Sequence, residues 1–429
     1  MGALKVKYSD KKVTPFGGMK LLKDFMDKTT VLEDLKEVDL PQPGSNAGFD
    51  PLVIIQGFWL SIFTGASRYI HADWLRYDET LQQIFQLKRL PSQSTYSRFF
   101  HKFSWERNNA VFPTLQQRFL RQIDVGPLTI DLDSTVITRY GEQEGAKSGY
   151  NPNKRGRASH HPLIAFISQT RMVANAWMRP GNTADLNNYQ AFLEETFDKV
   201  LSQKEIGLVR ADSGFYSDDF LNWFEARGLD YVVAVKLYQP IKYEISAMTQ
   251  WISITEGLDV CHFYYKPKKG KKRRYIVVRK AIRKYPKSGG KLLFDAPAYR
   301  YSVYVTNLTL PVDQIYAIYN SRADCENRIK ELKYDFGADN FCLKGFFATE
   351  ASFRFIMMAY NIMALFKHQV LQSTMQMKTL RAYCFAIGSW ISDHANQKVL
   401  NMALPAKRRS WMDGLFSHVK RSELPFTYT

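Results

Sequence analysis

The stretch Leu128-Thr-Ile-Asp-Leu-Asp-Ser-Thr135 decides the fold class of this chain. Apolar and polar side chains alternate along it, which is the pattern of a β-strand with one face toward a core. Asp131 and Asp133 therefore share the polar face, and both are candidates for a site there. We favour Asp133 because it lies nearer the end of the strand, where a cleft would open. A single aspartate in such a place can also simply cap a turn.

The elements after this strand predict a mixed sheet. We expect strands over 161–168 and 172–179, a helix over 184–201, a strand from 206 that ends at Asp212, a helix over 217–227 and a strand over 231–236. Short connections favour antiparallel pairing of the first three strands, and intervening helices favour parallel pairing of the others. Asp133 and the end of the Asp212 strand are therefore expected on neighbouring strands.

Residues 1–125 are expected to form a helical DNA-binding domain. Apolar residues recur with helical spacing over 18–29, 50–64, 78–87 and 95–121. The segment from Pro91 to Phe100 begins like a capped helix, and it carries Arg98. Such a helix could enter a DNA groove, although similar starts are common in plain helical bundles.

The remaining boundaries follow from changes in pattern. We expect the first part of a catalytic core over 126–237, a β-rich basic insertion subdomain over 238–311, the final part of the core over 312–348 and a helical C-terminal region over 349–429. In the insertion, aromatic strands flank a run of nine residues with seven cations. This run is either a solvated loop or a phosphate-binding tip, and its candidate DNA contacts are Lys268, Lys269, Lys271, Lys272, Arg273 and Arg274.

One predicted helix carries an ordered row of polar side chains. At about 100° per residue, Tyr319, Arg322, Glu326 and Lys333 fall within roughly 60° of one another. The row borders a second, core-facing stripe formed by Ile315, Ile318, Cys325, Ile329 and Leu332. Charges on a helix ordinarily indicate a solvated face, so the rest of the chain is needed to show whether this row belongs to a functional site.

Three carboxylates lie where they can converge. Asp133 is on a strand face, Asp212 is at a strand end, and Glu326 is on a helix beside the core. Ionised carboxylates that are packed together repel one another unless a cation neutralises them, and Mg²⁺ prefers such hard oxygen ligands. This arrangement indicates phosphoryl-transfer chemistry with two metal ions.

These residues resemble a known signature. Tyr319, Arg322, Glu326 and Lys333 have the spacing of the Tyr-Arg-Glu-Lys signature of bacterial insertion-sequence transposases of the DDE superfamily. The segments IDLDST and RADSGFY resemble the first two acidic motifs of that group, so the match spans about Asp131 to Gly337. The resemblance implies an α/β fold with a ribonuclease-H-like mixed sheet core and a β-rich insertion, flanked by helical N- and C-terminal regions.

The resemblance also implies roles for individual residues. Asp133, Asp212 and Glu326 would hold two Mg²⁺ ions, for which Mn²⁺ can substitute, and Tyr319, Arg322 and Lys333 would grip the cleaved strand. Further cations expected on DNA are Lys330, Arg155 and Arg157. The implied reaction is cut-and-paste transposition by a homodimer, in which phosphodiester bonds at the element ends are cleaved and the 3′-hydroxyl ends are joined to target DNA. Some relatives form a hairpin intermediate with an insertion-domain Trp; here only Trp251 lies in that region, which leaves that step open.

The composition limits the partners. The formal net charge of +18 and a pI near 9.5 favour polyanions, with double-stranded DNA first and an anionic membrane surface second. The apolar runs are too short or too polar for a membrane-spanning helix, and the N-terminus lacks an apolar signal core, so we expect a cytoplasmic protein. The resemblance implies that it is bacterial and associated with the nucleoid. Four widely spaced cysteines predict neither a disulfide framework nor a structural zinc.

Two other functions fit the same residues. One is a ribonuclease-H-fold nuclease without strand transfer, and the other is a catalytically inactive DNA-binding regulator derived from a transposase. The presence of all three acids argues against the second. The pair His160-His161 is expected to enter a strand from a loop, since two adjacent histidines do not form a metal site by themselves.

Overall fold

The computed structural model describes residues 3–152, 154–268, 270–282, 298–395 and 397–428. The N-terminal part is helical, in agreement with the apolar periodicity. Its helices are α1 (Met19–Met26), α2 (Val31–Lys36), α3 (Pro51–Thr64), α4 (Tyr69–Leu75), α5 (Glu79–Ile84), α6 (Gln93–Phe100) and α7 (Trp105–Arg121). Helix α3 begins where the Asp50 side chain accepts a hydrogen bond from the Leu52 amide, and it ends at Gly65, whose φ of 107° is the left-handed conformation that glycine tolerates best.

The single helix predicted over 95–121 is two helices in the structure. The chain leaves helical geometry between α6 and α7 because Ser104 caps the second helix: its hydroxyl accepts a hydrogen bond from the Arg107 amide at 3.3 Å. An N-cap residue is itself non-helical, so it separates the two segments. Apolar periodicity alone did not show this break.

A nine-stranded sheet forms the centre of the molecule. Its first five strands in chain order are β3 (Leu128–Ser134), β7 (Leu163–Ile167), β8 (Val173–Trp177), β9 (Ile206–Ala211) and β10 (Tyr231–Val235). The pairs β3–β7 and β7–β8 are antiparallel, and the pairs β3–β9 and β9–β10 are parallel. The spatial order β8-β7-β3-β9-β10 is that of a ribonuclease-H-like sheet, which confirms the predicted fold class.

Shorter elements connect these strands. A small sheet follows β3 and contains β4 (Ile137–Thr138), β5 (Lys147–Ser148) and β6 (Ala158–His160). Helix α8 (Tyr189–Glu194) continues as a π-helical turn over Glu195–Val200, α9 (Asp218–Glu225) separates β9 from β10, and α10 (Gln239–Ser246) follows β10. His160 is the last residue of β6, and His161 lies in the connection to β7, so only His161 enters a strand from a loop as expected.

The β-rich insertion extends the central sheet. Its strands are β11 (Ile252–Thr255), β12 (Leu258–Tyr265), β13 (Arg273–Ile282) and β14 (Ala298–Thr306), and they continue the order from β10 as β14-β13-β12-β11. Strand β14 pairs antiparallel with β10 in the register Val233↔Val305. The inserted strands therefore complete the hydrogen bonds of an existing strand, and the predicted β-rich insertion is continuous with the central sheet.

The helix with the polar row is broken. It consists of α11 (Val312–Asn320), a 3-10 turn over Ser321–Ala323 and α12 (Asp324–Tyr334). The break follows from Arg210 on β9, whose guanidinium donates hydrogen bonds to the Ile318 carbonyl at 2.5 Å and to the Ser321 hydroxyl. The break lies where this side chain from another element binds the backbone.

The C-terminal region contains strands as well as helices. Helix α13 (Phe346–Phe366) runs into a π-helical turn over Lys367–Leu371, and α14 (Met377–Leu380) and α15 (Ala406–Arg421) follow. Strands β15 (Ser389–His394) and β16 (Gln397–Met402) form a hairpin that pairs with β1 (Val13–Thr14), and β17 (Phe426–Thr427) pairs with β2 (Ile123–Asp124). The predicted helical C-terminal region thus also contains strands, of which β15 and β17 pair with the N-terminal part.

Helix α13 packs against the edge of the central sheet. It is buried almost all round, and its Asn361 side chain both accepts a hydrogen bond from the Val173 amide and donates one to the Val173 carbonyl, each at 2.8 Å. The side-chain amide thus makes the two hydrogen bonds that a residue of a further strand would make with β8. Within the described residues, α13 and the other helices fall short of the length and apolarity that crossing a membrane requires.

Removing this contact should destabilise the fold. In the Asn361→Ala variant the buried Val173 amide loses its partner, so we expect the free energy of unfolding to fall by about 1–3 kcal/mol. Urea denaturation followed by circular dichroism measures the change. Asn327→Ala, at an exposed position of α12, is the control and should change stability by no more than about 0.5 kcal/mol. Equal stability of the two variants would contradict the role of Asn361.

Candidate active site

Two of the predicted acidic residues meet at the ends of parallel strands. Leu132 on β3 is paired in register with Ala211 on β9, so the next residues, Asp133 and Asp212, lie side by side. The Ser134 amide donates a hydrogen bond to Asp133 Oδ1 at 2.8 Å, and the Gly214 amide donates one to Asp212 Oδ1 at 2.9 Å. The two carboxylates are therefore oriented by their own backbones.

Arg322 and Tyr319 extend from the broken helix of α11 and α12 and pack beside the two aspartates. Arg322 Nη2 lies 3.1 Å from Asp133 Oδ2 and donates a hydrogen bond to the Leu132 carbonyl at 2.8 Å. The Tyr319 hydroxyl donates to the Ala211 carbonyl at 3.4 Å, and its ring packs on Tyr304 with centroids 4.1 Å apart. Arg322 is only 8% exposed, so it neutralises Asp133 inside the site and is not presented to solvent in this structure.

Burial dominates the electrostatics of the two aspartates. It raises the pKa of Asp133 to about 6; Arg322 opposes this shift and the charge of Asp212 adds to it. Burial also raises the pKa of Asp212, again against the effect of Arg322. One guanidinium thus faces two carboxylates in a desolvated position, and the oxygen ligands and their uncompensated charge fit a divalent cation.

Glu326 lies outside this cluster in the structure. Its side chain is exposed, whereas the thiol of the preceding residue, Cys325, is fully buried and acts to lower the pKa of Asp133. Neighbouring residues on a helix differ by about 100°, so Cys325 takes the position toward the aspartates and Glu326 lies beside it. Across the described ranges, no three His, Cys, Asp or Glu side chains are grouped so that they could hold a metal ion.

The two aspartates of β3 have different environments. Asp131 is fully buried, and its oxygens bind Arg210 through contacts of 2.7 Å to Nε and 2.9 Å to Nη2. Both carboxylate oxygens are occupied by this bidentate pair. Of the two candidates, only Asp133 is left to bind a further group.

The two lysines of α12 are placed differently from each other. Lys333 Nζ donates a hydrogen bond to the Val136 carbonyl at 2.7 Å, and burial lowers the pKa of its ammonium group. Lys333 thus ties the helix to the chain just after Asp133. Lys330 is exposed.

The predicted basic surface residues fall into two groups. Exposed side chains that remain available to a polyanion are Arg98, Arg155, Arg157, Lys268, Lys271 and Lys272. Lys271 also pairs with Glu225 at 3.1 Å, and the Arg157 guanidinium lies over the Tyr140 ring at 5.8 Å. Lys269 lies outside the described residues.

Arg273 and Arg274 belong to the fold and not to an exposed tip. Arg273 is 5% exposed, contacts Asp218, and donates a hydrogen bond to Glu225 Oε1 at 2.6 Å. Arg274 donates to the carbonyls of Leu308 and Leu310 at 3.1 and 2.7 Å. Their assignment as DNA contacts is wrong for this structure, because acidic groups of α9 and carbonyls after β14 already bind them.

Trp251 is also engaged within the insertion. The Arg279 guanidinium lies 4.1 Å from the centre of its ring, and Arg279 is held by Asp259 at 2.8 Å. The Tyr301 ring is 6.3 Å away, and the indole N–H donates to the Met248 carbonyl at 3.3 Å. These contacts give Trp251 a structural role in the insertion.

Sequence reasoning missed three residues beside the aspartates. Ser134, His161 and Asp185 form a polar group next to Asp133, in which the Ser134 hydroxyl donates to Asp185 Oδ1 at 2.6 Å. The Ser134 hydroxyl also lies 3.1 Å from His161 Nε2. Asp185 belongs to an irregular loop after β8, so no periodicity marks it. The loop is brought to the site by contacts between distant residues.

Comparison with known sequences places this site in a family. The family model described as "Transposase DDE domain group 1" matches residues 2–424. The chain belongs to this family of DDE transposases. No curated protein matches it. A solved structure with a similar fold is a cryo-EM structure of the piggyBac transposase synaptic complex with hairpin DNA; the two chains are 11% identical, the alignment covers 87% of this transposase and 81% of that chain, and the TM-score is 0.45.

The raised pKa of Asp133 predicts a pH dependence of stability. The folded state holds a proton on Asp133 up to a pH of about 6, while the unfolded state loses it near its ordinary value, so this contribution to stability is present below about pH 4 and is lost as the pH rises to 6. Relative to Asp133→Asn, the wild-type free energy of unfolding should fall by up to about 3 kcal/mol between pH 4 and 7. Urea titrations of both proteins in EDTA measure this difference. A constant difference across that range would show that Asp133 is not desolvated.

Proposed function

We propose that this protein is a bacterial insertion-sequence transposase that cleaves phosphodiester bonds at the element ends and joins the freed 3′-hydroxyl ends to target DNA. The observation that carries the proposal is the side-by-side placement of Asp133 and Asp212 under Arg322, in a chain of the DDE transposase family. The Tyr-Arg-Glu-Lys spacing supports the assignment to the insertion-sequence group. The net charge of +18 supports DNA as the partner.

Asp133 and Asp212 are the residues that would hold divalent metal ions, Mg²⁺ or Mn²⁺. When bound there, two such ions would supply activation of the attacking oxygen and charge stabilisation of the leaving oxygen of the phosphodiester. Glu326 lies four residues after Arg322, about one helical turn along, and its side chain is exposed. We infer that it completes the ligand set when DNA and metal are bound. Arg322 favours the ionised form of Asp133, since its guanidinium opposes the larger effect of burial, which raises the pKa of that carboxyl.

The exposed cations support the proposed DNA path. Lys330 on α12, Arg155 and Arg157 after β5, and the turn between β12 and β13 carry exposed positive side chains. Arg98 on α6 extends this set to the N-terminal helices, which we propose as the end-binding domain. Pairing of two element ends requires two copies of the chain, so the active assembly is proposed to be a homodimer bound to DNA in the bacterial cytoplasm.

Substitution of the three acids tests the reaction. Purified protein with Mg²⁺ and DNA that carries the terminal repeats of the element should cleave that DNA. Asp133→Ala, Asp212→Ala and Glu326→Ala should each reduce cleavage by at least about a thousandfold, because each removes a proposed ligand, while DNA binding in EDTA is retained. Gel-based cleavage and mobility-shift assays measure the two properties.

Glu33→Ala is the control for this series. Glu33 is exposed on α2, outside the proposed site, and its substitution should leave cleavage unchanged. Full activity of any of the three acid variants would remove that residue from the site. An assay with pre-cut element ends and a plasmid then distinguishes a transposase, which joins the ends to the plasmid, from a nuclease, which does not. An inactive regulator would bind the DNA without cutting it under any of these conditions.

The basic turn between β12 and β13 should contribute to affinity through phosphates. Replacing Lys268 and Lys272 by Gln should lower the slope of log K against log salt by about 0.9 for each lost phosphate contact. Arg273→Gln should instead lower thermal stability, since it leaves the Asp218 and Glu225 carboxylates without their buried partner. Fluorescence anisotropy at several salt concentrations and differential scanning fluorimetry measure the two effects. An unchanged salt slope in the double lysine variant would place DNA elsewhere.

A further inference from the structure

Asp185 reaches the aspartate pair from an irregular loop. Its Oδ1 accepts a hydrogen bond from the Ser134 hydroxyl at 2.6 Å, and Ser134 directly follows Asp133. Its Oδ2 faces the turn after β9: a Cβ atom added to Gly214 would lie 2.1 Å from Asp185 Oδ2 and 3.1 Å from Asp212 Oδ1. One carboxylate thus touches the backbone segments that follow both Asp133 and Asp212, and glycine at 214 is what allows that approach.

The loop that carries Asp185 is held by a buried arginine. Arg179 is 3% exposed and donates hydrogen bonds to the carbonyls of His161, Ala184, Asp185 and Asn187, at 3.0, 3.0, 3.2 and 3.1 Å. Its Nη2 lies 3.8 Å from Asp185 Oδ1 and makes no hydrogen bond among the residues described. Four carbonyl contacts from one rigid guanidinium fix the loop backbone, so the Asp185 carboxylate is presented in a defined position.

The group does not have the geometry of a nucleophilic triad. In such a triad the histidine bridges the serine and the acid. Here His161 Nδ1 donates to the Thr183 carbonyl at 2.8 Å, and Asp185 accepts directly from Ser134. The hydroxyl proton of Ser134 is therefore directed at Asp185. Ser134 is held in place and is not activated for attack.

We propose that Asp185 is a positioning residue of the metal-binding pocket, which acts through Ser134 and the Gly214 turn to fix the spacing of Asp133 and Asp212. This inference rests on the proposed function, since it assumes that the two aspartates bind divalent metal. Groups that orient metal ligands typically change metal affinity or activity by about 10–100-fold when they are removed. Asp185 acts as a hydrogen-bond acceptor and a steric support, so the oxygen that faces Ser134 matters more than its charge.

Binding of Mn²⁺ to the protein alone tests this role. Electron paramagnetic resonance titration of the full-length chain, without DNA, gives the Mn²⁺ affinity of each variant. Asp185→Ala and Ser134→Ala should both weaken it by about tenfold. Asp185→Asn should weaken it less, because the amide oxygen still accepts from Ser134, and Ser134→Thr should retain the wild-type affinity. Asp198→Asn, an exposed aspartate on the π-helical turn, is the matched control.

The outcomes separate this inference from the proposed function. Wild-type Mn²⁺ affinity in Asp185→Ala overturns the positioning role, even where the wild-type protein cleaves DNA. Equal weakening by Asp185→Asn and Asp185→Ala overturns it in favour of a direct ligand. A fall in melting temperature together with loss of DNA binding in EDTA overturns it in favour of a purely structural role. Conversely, the expected affinity series in a protein that never cleaves DNA supports the positioning role and counts against the transposase assignment.

Discussion

The buried ion pair between Asp131 and Arg210 is the constraint on which the site depends. The two residues are cross-strand partners on β3 and β9, and neither is more than 2% exposed. Removing one partner of such a pair leaves an uncompensated charge at a cost of about 3–5 kcal/mol, so the register between the strands is strongly specified. Side chains two residues apart on a strand share a face, and Asp133 and Asp212 each lie two residues beyond a member of the pair. The internal pair therefore sets the acids side by side.

The same arginine links the sheet to the helix with the polar row. Its guanidinium binds the end of α11, and the 3-10 turn that follows brings Arg322 against Asp133. A straight helix would keep the four polar residues on one stripe, whereas the break gives each a separate environment. Tyr319 and Arg322 are packed inward, Lys333 binds the Val136 carbonyl, and Glu326 is left exposed. The polar stripe in the sequence thus identifies residues near the site, and the packing of the folded chain decides which of them are buried and which are exposed.

Much of the core could be predicted because its signals are local. Alternation along Leu128–Ser134 and the acid after β9 gave the strands, their pairing and two of the three carboxylates. The features that could not be predicted depend on contacts between distant residues. The sequence places Arg273 in a basic tip, because its acidic partners on α9 are distant from it along the chain. The helix break likewise depends on a distant residue, Arg210 on β9. Alternation could not separate Asp131 from Asp133, which share a face and differ only in what is packed against them.

The ladder between β10 and β14 has a mechanical consequence. Because the inserted strands continue the central sheet, the turn between β12 and β13 is joined to the strand that precedes Asp212 by rows of peptide hydrogen bonds, which no hinge interrupts among the strand residues that the structure describes. Force applied at that turn is transmitted across the strands and is not absorbed by a flexible joint. A long ligand that contacts both this turn and the end of β9 is held at a fixed angle to the sheet. Any curvature needed to reach both contacts therefore has to come from bending of the ligand.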